Sequence, residues 1–232
     1  MAISSPVFHR LTIAALLLLT FATGLADAIS VLVLGHVFVA NMTGNVIFLG
    51  FWFVKSNIDL TAGIVAFAGF VIGAVIGGRL LRMLSHNPRR WITTVLGIEV
   101  CNLLVLSILA GAGVLHYYDN TKLLLLGGLA VTFGMQNASA REFGIQELST
   151  TVLTSTIVSL GADSRLAGGG GHREGLRYSV VASMCGGAIL GATLSRVTVA
   201  PVLTLAAAVI AVAMVIFRFG PADRKTPEAF TS

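Results

Sequence analysis

Eight apolar runs constrain this chain more than any other feature. They cover residues 11–34, 37–54, 60–81, 91–115, 121–140, 148–162, 176–195 and 199–217. A helix needs about 20 apolar residues to cross the hydrocarbon of a bilayer, and six of the runs satisfy that. Runs recurring along the whole length predict a polytopic all-α membrane protein, not a soluble domain with one anchor. Composition agrees. The chain is 56% hydrophobic and 11% charged, where a soluble domain is about 25% charged. Its mean hydropathy is +0.91. Cys101 and Cys185 each stand alone in an apolar run, so neither a disulfide framework nor a metal spacing follows. The basic residues are scattered between hydrophobic segments, which excludes a nucleic-acid-binding domain.

Two runs do not fit a plain span. Residues 38–51 read FVANMTGNVIFLGF, so Asn41, Thr43, Gly44 and Asn45 form a polar, helix-weakening centre between apolar flanks. Residues 148–162 read LSTTVLTSTIVSLGA, with seven Ser or Thr in fifteen residues. Further on, DSRLAGGGGHREG (163–175) reads as a flexible loop. The tail 221–232 reads as disordered and cytoplasmic. At the other end, Ala26-Asp27-Ala28 resembles a signal-peptidase site. The run continues past it as ISVLVLG, so a retained helix is expected.

The halves resemble each other. Gly24-Leu-Ala-Asp27-Ala28 precedes Gly134-Met-Gln-Asn137-Ala138 by 110 positions. MTGNVIFLG (42–50) precedes LTSTIVSLG (153–161) by 111. GAVIGGRLLR (73–82) precedes GAILGATLSR (187–196) by 114, with five of ten positions identical. Three collinear matches predict a duplication, with residues 1–116 and 117–220 as the two membrane repeats. The polar centres MTGN and LTST then fall in corresponding places. In transporters built from inverted repeats, paired interruptions of this kind point to the substrate site. A helix broken within the bilayer frees backbone groups that must face protein or a polar cavity, and half-helix ends carry partial charge.

Charge placement tests whether those two segments cross. If all eight runs span, nine of fifteen basic residues share a side. If 37–54 and 148–162 are broken or re-entrant, six helices span, and twelve of fifteen share a side, leaving Lys55, Lys122 and Arg196 opposite. The positive-inside rule favours the second arrangement. It makes both termini cytoplasmic and, with three spans per half, makes the halves inverted.

Within the spans, Gly69, Gly73 and Gly77 form a small-residue face that Ser183, Gly187 and Gly191 repeat. Such faces let helix backbones approach closely, so they are expected to pack helices rather than bind a ligand. Asp27 and Glu99 lie inside apolar runs. A carboxylate at mid-bilayer costs about 3 kcal/mol and needs a partner, water or a proton. Both are therefore candidate coupling carboxylates, with a satisfied polar contact as the plain alternative. Gln136, Asn137 and Arg141 could complete a polar cluster with Asp27. Asn41-Met-Thr43 and Asn137-Ala-Ser139 match the glycosylation sequon, but both abut membrane segments. HExxH, GxSxG and Walker signatures are absent, so no enzyme activity, cofactor or metal is expected.

The stretches GLADAISVLVLGHVFVANMTGN and GMQNASAREFGIQELSTTVLTSTIVSLGAD resemble the YoaK-like family of bacterial membrane proteins. The resemblance covers nearly the whole chain. It implies a six-helix protein of the bacterial cytoplasmic membrane and brings no established substrate, since that family is one of unknown function. The residues themselves suggest a small-molecule or ion permease or exporter. Its pathway would be lined by Asp27, Asn41, Thr43, Gly44, Asn45, Gln136, Asn137, Thr154, Ser155 and Thr156. A channel-like pore and a non-transporting membrane scaffold are the alternatives. The partners expected are the lipid bilayer and an unidentified solute, and a homo-oligomer is compatible with the sequence.

Overall fold

The computed structural model describes residues 10–53, 59–117, 119–140, 153–170 and 173–220. Arg141, residues 148–152, Lys55 and the tail 221–232 lie outside the described residues. The described chain is helical throughout: α1 (Arg10–Ile29), α2 (Met42–Leu49), α3 (Leu60–Leu84), α4 (Pro88–Gly111), α5 (Lys122–Ala140), α6 (Leu153–Ala162), α7 (Glu174–Leu194) and α8 (Ala200–Phe219). α1, extended by a π-helical turn over Ser30–Leu34, and α3, α4, α5 and α8 are long and apolar enough to cross a membrane. At 21 residues α7 is also long enough, but Glu174 and Arg177 in its first turns make it more polar than those five. The exterior suits lipid: Val71, Ile72, Val75, Ile108 and Val212 are all exposed. α1 and α5 are the most enclosed of these spans.

The short joints have their own signals. Asp59 caps α3 by accepting from the amide of Ala62 at 3.1 Å. Asn87 caps α4 by accepting from Arg90 at 3.1 Å, with Pro88 in the first turn. The Asp59 carboxylate also pairs with Lys122 at 2.8 Å, tying the start of α3 to the start of α5. Partial burial pushes the Asp59 carboxyl upward, but the hydrogen bonds from Lys122 and Ala62 outweigh it and hold the group below its usual range. The expected flexible loop is held where it is described. Ser164 caps a 3-10 turn at Arg165–Ala167, and Asp163 pairs with Arg177 at 2.7 Å.

Residue pairing fixes the helix directions. Gly69, Gly73 and Gly77 meet Gly127, Val131 and Met135 in ascending order, so α3 and α5 run parallel. Ser183, Gly187 and Gly191 meet Leu17, Phe21 and Leu25 in the same way, so α1 and α7 run parallel. These contacts correspond residue for residue at the 110 and 114 offsets seen in the sequence. α4 and α8 run antiparallel: Arg89 reaches Gly220, and Ser107 reaches Thr204 and Ala200. α4 and α5 are also antiparallel, with Glu99 beside Gln136 and Asn102 beside Thr132. Short turns join α3 to α4 and α7 to α8 as antiparallel neighbours. Hence α1, α4 and α7 point one way, and α3, α5 and α8 point the other. α2 lies at the end where α1 finishes and α3 begins. α6 lies at the opposite end, between α5 and α7.

Charge follows these ends. Among the described residues, Arg10, Arg79, Arg82, Arg89, Arg90, Arg165, Arg173, Arg177 and Arg218 belong to the α6 end. Lys122 and Arg196 belong to the α2 end.

Candidate functional site

The interruption in the first polar segment is not at Gly44. The chain leaves the π-helical turn at Gly35, whose φ of 142° favours glycine, and His36 follows at φ 59°. It then doubles back: Val37, Val39 and Ala40 are buried, and residues 39–40 lie beside Asp27. α2 starts only at Met42, so MTGN is its first turn. α2 has eight residues and a four-residue 3-10 extension, about 18 Å at 1.5 Å per residue. That falls short of the roughly 30 Å hydrocarbon thickness, and α1 finishes and α3 begins at the same end of the bundle, so α2 does not form a span of its own.

Two members of MTGN, Gly44 and Asn45, have a visible local role. Asn45 is fully buried and bonds both backbone groups of Phe38: its Oδ1 accepts from the amide at 2.8 Å and its Nδ2 donates to the carbonyl at 2.6 Å. Gly44 is helical, and its lack of a side chain makes room for the Phe38 ring, whose atoms lie 2.8 Å from where a Cβ would stand. Asn41 and Thr43 are exposed. In α6, Thr154 and Ser155 are exposed, and Thr156 is buried at the position that matches Asn45. α2 packs on α3 and α6 on α7. The two polar segments therefore sit at opposite ends of the bundle and do not face each other.

Between those ends lies a buried polar centre. Asp27 Oδ1 accepts from the amides of Val39 (2.9 Å) and Ala40 (3.0 Å), clamping the returning chain to α1. Its other oxygen has no partner among the described residues. Glu99, midway along α4, is fully buried. Its Oε2 accepts from Gln136 Nε2 at 3.2 Å, and its Oε1 has no partner among the described residues. Gln136 Oε1 in turn accepts from Thr23 Oγ1 at 3.2 Å, so α1, α5 and α4 are joined by one polar chain. Gln136 thus serves Glu99 rather than Asp27. Asn137 donates to the carbonyl of Phe133 in its own helix at 2.9 Å. Among the described residues, Asp27 and Glu99 are linked through α1, where Thr23 stands one turn before Asp27.

Three polar residues near this centre escaped the sequence reading. Thr23 was detectable, because Thr20, Thr23 and Asp27 follow one another at helical spacing on a single face of α1. Asn102 donates to Thr132 Oγ1 at 2.6 Å and to the Gly128 carbonyl at 3.0 Å. These two side chains are the polar members of a groove of about 370 Å³ between α3, α4 and α5, one turn from Glu99. Nothing local in the sequence marks that pair. No group of three potential metal-ligating side chains occurs among the described residues.

The small-residue faces lie against the backbone of neighbouring helices. A Cβ on Gly73 would strike the Val131 carbonyl, and one on Gly187 would strike the Phe21 carbonyl. Gly134 and Gly24 answer from the partner helices, against the carbonyls of Phe70 and Met184. Ser183 donates to the Leu17 carbonyl at 2.7 Å.

Comparison with known proteins places this arrangement. A family model described as a protein of unknown function (DUF1275) matches residues 15–216, from the second turn of α1 almost to the end of α8. The UPF0700 transmembrane protein YoaK of Bacillus subtilis (strain 168) is 31% identical over 153 residues, covering 66% of this chain and 66% of that protein. No solved structure matches. An all-helical, multi-pass membrane protein whose match runs through all its spans, the chain belongs to the DUF1275 family of proteins of unknown function.

Proposed function

We propose that the protein is a small-molecule or ion permease of the bacterial cytoplasmic membrane, built from two inverted repeats. One observation carries the reading: Asp27 and Glu99 are enclosed in the bundle, each with a carboxyl oxygen that no described residue satisfies. Neither has a cationic partner among the described residues. A buried carboxylate left in this state is costly, and a proton or small cation removes the cost. α2 and α6 then form the two mouths, with Asn41 and Thr43 at one and Thr154 and Ser155 at the other. Gln136 holds Glu99, and the Asp27 clamp links the central site to the returning chain at the α2 mouth. Exchange of the clamped amides for a solute or ion would open that mouth.

The test uses energised membrane vesicles and a pH-sensitive dye. Small cations, amines and organic acids are added singly. A substrate should discharge the proton gradient in wild-type vesicles and not in Glu99→Gln vesicles. Discharge that persists in Glu99→Gln would contradict carboxylate coupling and favour a pore. Transport that survives conversion of both polar centres to apolar residues would remove α2 and α6 from the pathway.

Orientation gives a separate prediction. The nine arginines at the α6 end support a cytoplasmic position for that end by the positive-inside rule. With Cys101 and Cys185 replaced, Val197→Cys should react with an impermeant thiol reagent added outside intact cells. Ser85→Cys should react only after the membrane is opened. Labelling of Ser85→Cys from outside would reverse the topology.

A further inference from the structure

A pocket of about 320 Å³ opens at the α6 end of the bundle, lined by Asn87, Arg89, Arg90, Thr93 and Arg218. Two helices far apart in sequence build it, the start of α4 and the end of α8. Arg89 fastens them by donating to the Gly220 carbonyl at 2.7 Å. Three guanidinium groups therefore converge on one concavity, and no carboxylate among the described residues pairs with Arg90 or Arg218. Arg218 is held over the Phe219 ring, 5.8 Å from its centroid. The first turn of the 24-residue helix α4 adds its partial positive charge.

We propose that this pocket binds the phosphate group of an anionic lipid headgroup. Guanidinium forks match phosphate oxygens in geometry as well as charge. The position selects a lipid as the carrier. The pocket lies at one end of two spanning helices, and exposed apolar side chains stand at the same end of the bundle: Phe219, next to Arg218, is 78% exposed and Met83, at the end of α3, is 74% exposed. Basic pockets between spanning helices are a recurrent form of headgroup site. A zwitterionic headgroup would bring its own cation among the arginines, so an anionic one fits better. The site is separate from the Asp27–Glu99 centre and does not depend on the permease reading.

Native mass spectrometry of the full chain released from neutral detergent tests it, with phosphatidylglycerol and phosphatidylcholine titrated separately. Wild-type protein should retain phosphatidylglycerol in preference to phosphatidylcholine. Each arginine removed near a charged surface should weaken phosphatidylglycerol binding about fivefold, and Arg90→Gln with Arg218→Gln about 25-fold. Arg196→Gln, at the other end, should change nothing. Arg90→Lys with Arg218→Lys should keep part of the affinity, since charge remains and the fork is lost. If the double glutamine variant does not fold, Arg218→Gln alone carries the test, because its side chain makes no hydrogen bond among the described residues. Binding unchanged within about twofold in the folded variants, or equal retention of phosphatidylcholine, overturns the proposal. Displacement of phosphatidylglycerol by inorganic phosphate at equal concentration would overturn the lipid as the carrier.

Discussion

Gly73→Leu should abolish accumulation of folded protein, and Gly187→Leu should do the same. At both positions the atom in the way is a backbone carbonyl oxygen, of Val131 and of Phe21. A side chain can rotate aside, but a helix backbone moves only if the whole interface opens. Overpacking of a close interface costs about 1–3 kcal/mol, sometimes more. Even Gly73→Ala should therefore lie near the top of that range. The interlock is mutual, since Gly134 meets the Phe70 carbonyl from the other side. Gly73→Ala with Gly134→Ala should thus lose less than the sum of the two single losses, because one separation relieves both clashes. Gly161→Ala and Gly175→Ala, with nothing within 4 Å of the new methyl, serve as controls and should melt like wild type. Thermal unfolding in detergent measures the series. Wild-type melting of Gly73→Leu would mean that α3 and α5 do not touch there.

Asp27→Ala should destabilise the protein by about 3 kcal/mol, because it leaves the buried amides of Val39 and Ala40 without an acceptor. Asp27→Asn keeps an oxygen for those amides and gives up only the charge, so it should cost about 1 kcal/mol. The pair separates two roles of one side chain. If Asp27 only clamps the returning chain, Asn should restore both folding and transport. If it also carries a proton or cation, Asn should restore folding and leave transport defective. Melting curves and vesicle assays on the same preparations distinguish these outcomes. Equal, small effects of Ala and Asn on stability would contradict the clamp.

The spans and their small-residue faces were legible because they are periodic. A glycine every fourth residue declares a face before any partner is known, and the helix it meets appears only in the packing. Asp27 and Glu99 were legible for the opposite reason: each is a charge where periodicity predicts a hydrocarbon. The location of the break was not. MTGN looks like a helix breaker by composition, yet Gly35 and His36 take the unusual backbone angles, and Asn45, in the first turn of α2, bonds Phe38 in the loop before it. Local composition cannot tell an amide that faces a cavity from one that staples a turn. The pairing of Gln136 with Glu99 was hidden as well, because it depends on the rotation of α4 against α5. The same holds for Arg89, Arg90 and Arg218, which only the packing of α4 on α8 brings together.

On the permease reading, Glu99 exchanges a proton with solvent from inside the bundle. Infrared difference spectroscopy on the reconstituted protein tests it without a known substrate. The carboxyl stretch is followed as H2O is replaced by D2O, and Glu99→Gln assigns it. The expected result is a protonated-carboxyl band that shifts within minutes in wild-type protein and is missing in Glu99→Gln. Gln136→Leu, which removes the amide bonded to Oε2, should move the band without abolishing it. A Glu99 band that does not exchange over days in folded protein, or no Glu99 band at all, would contradict the claim and leave Glu99 as a fixed contact between α4 and α5.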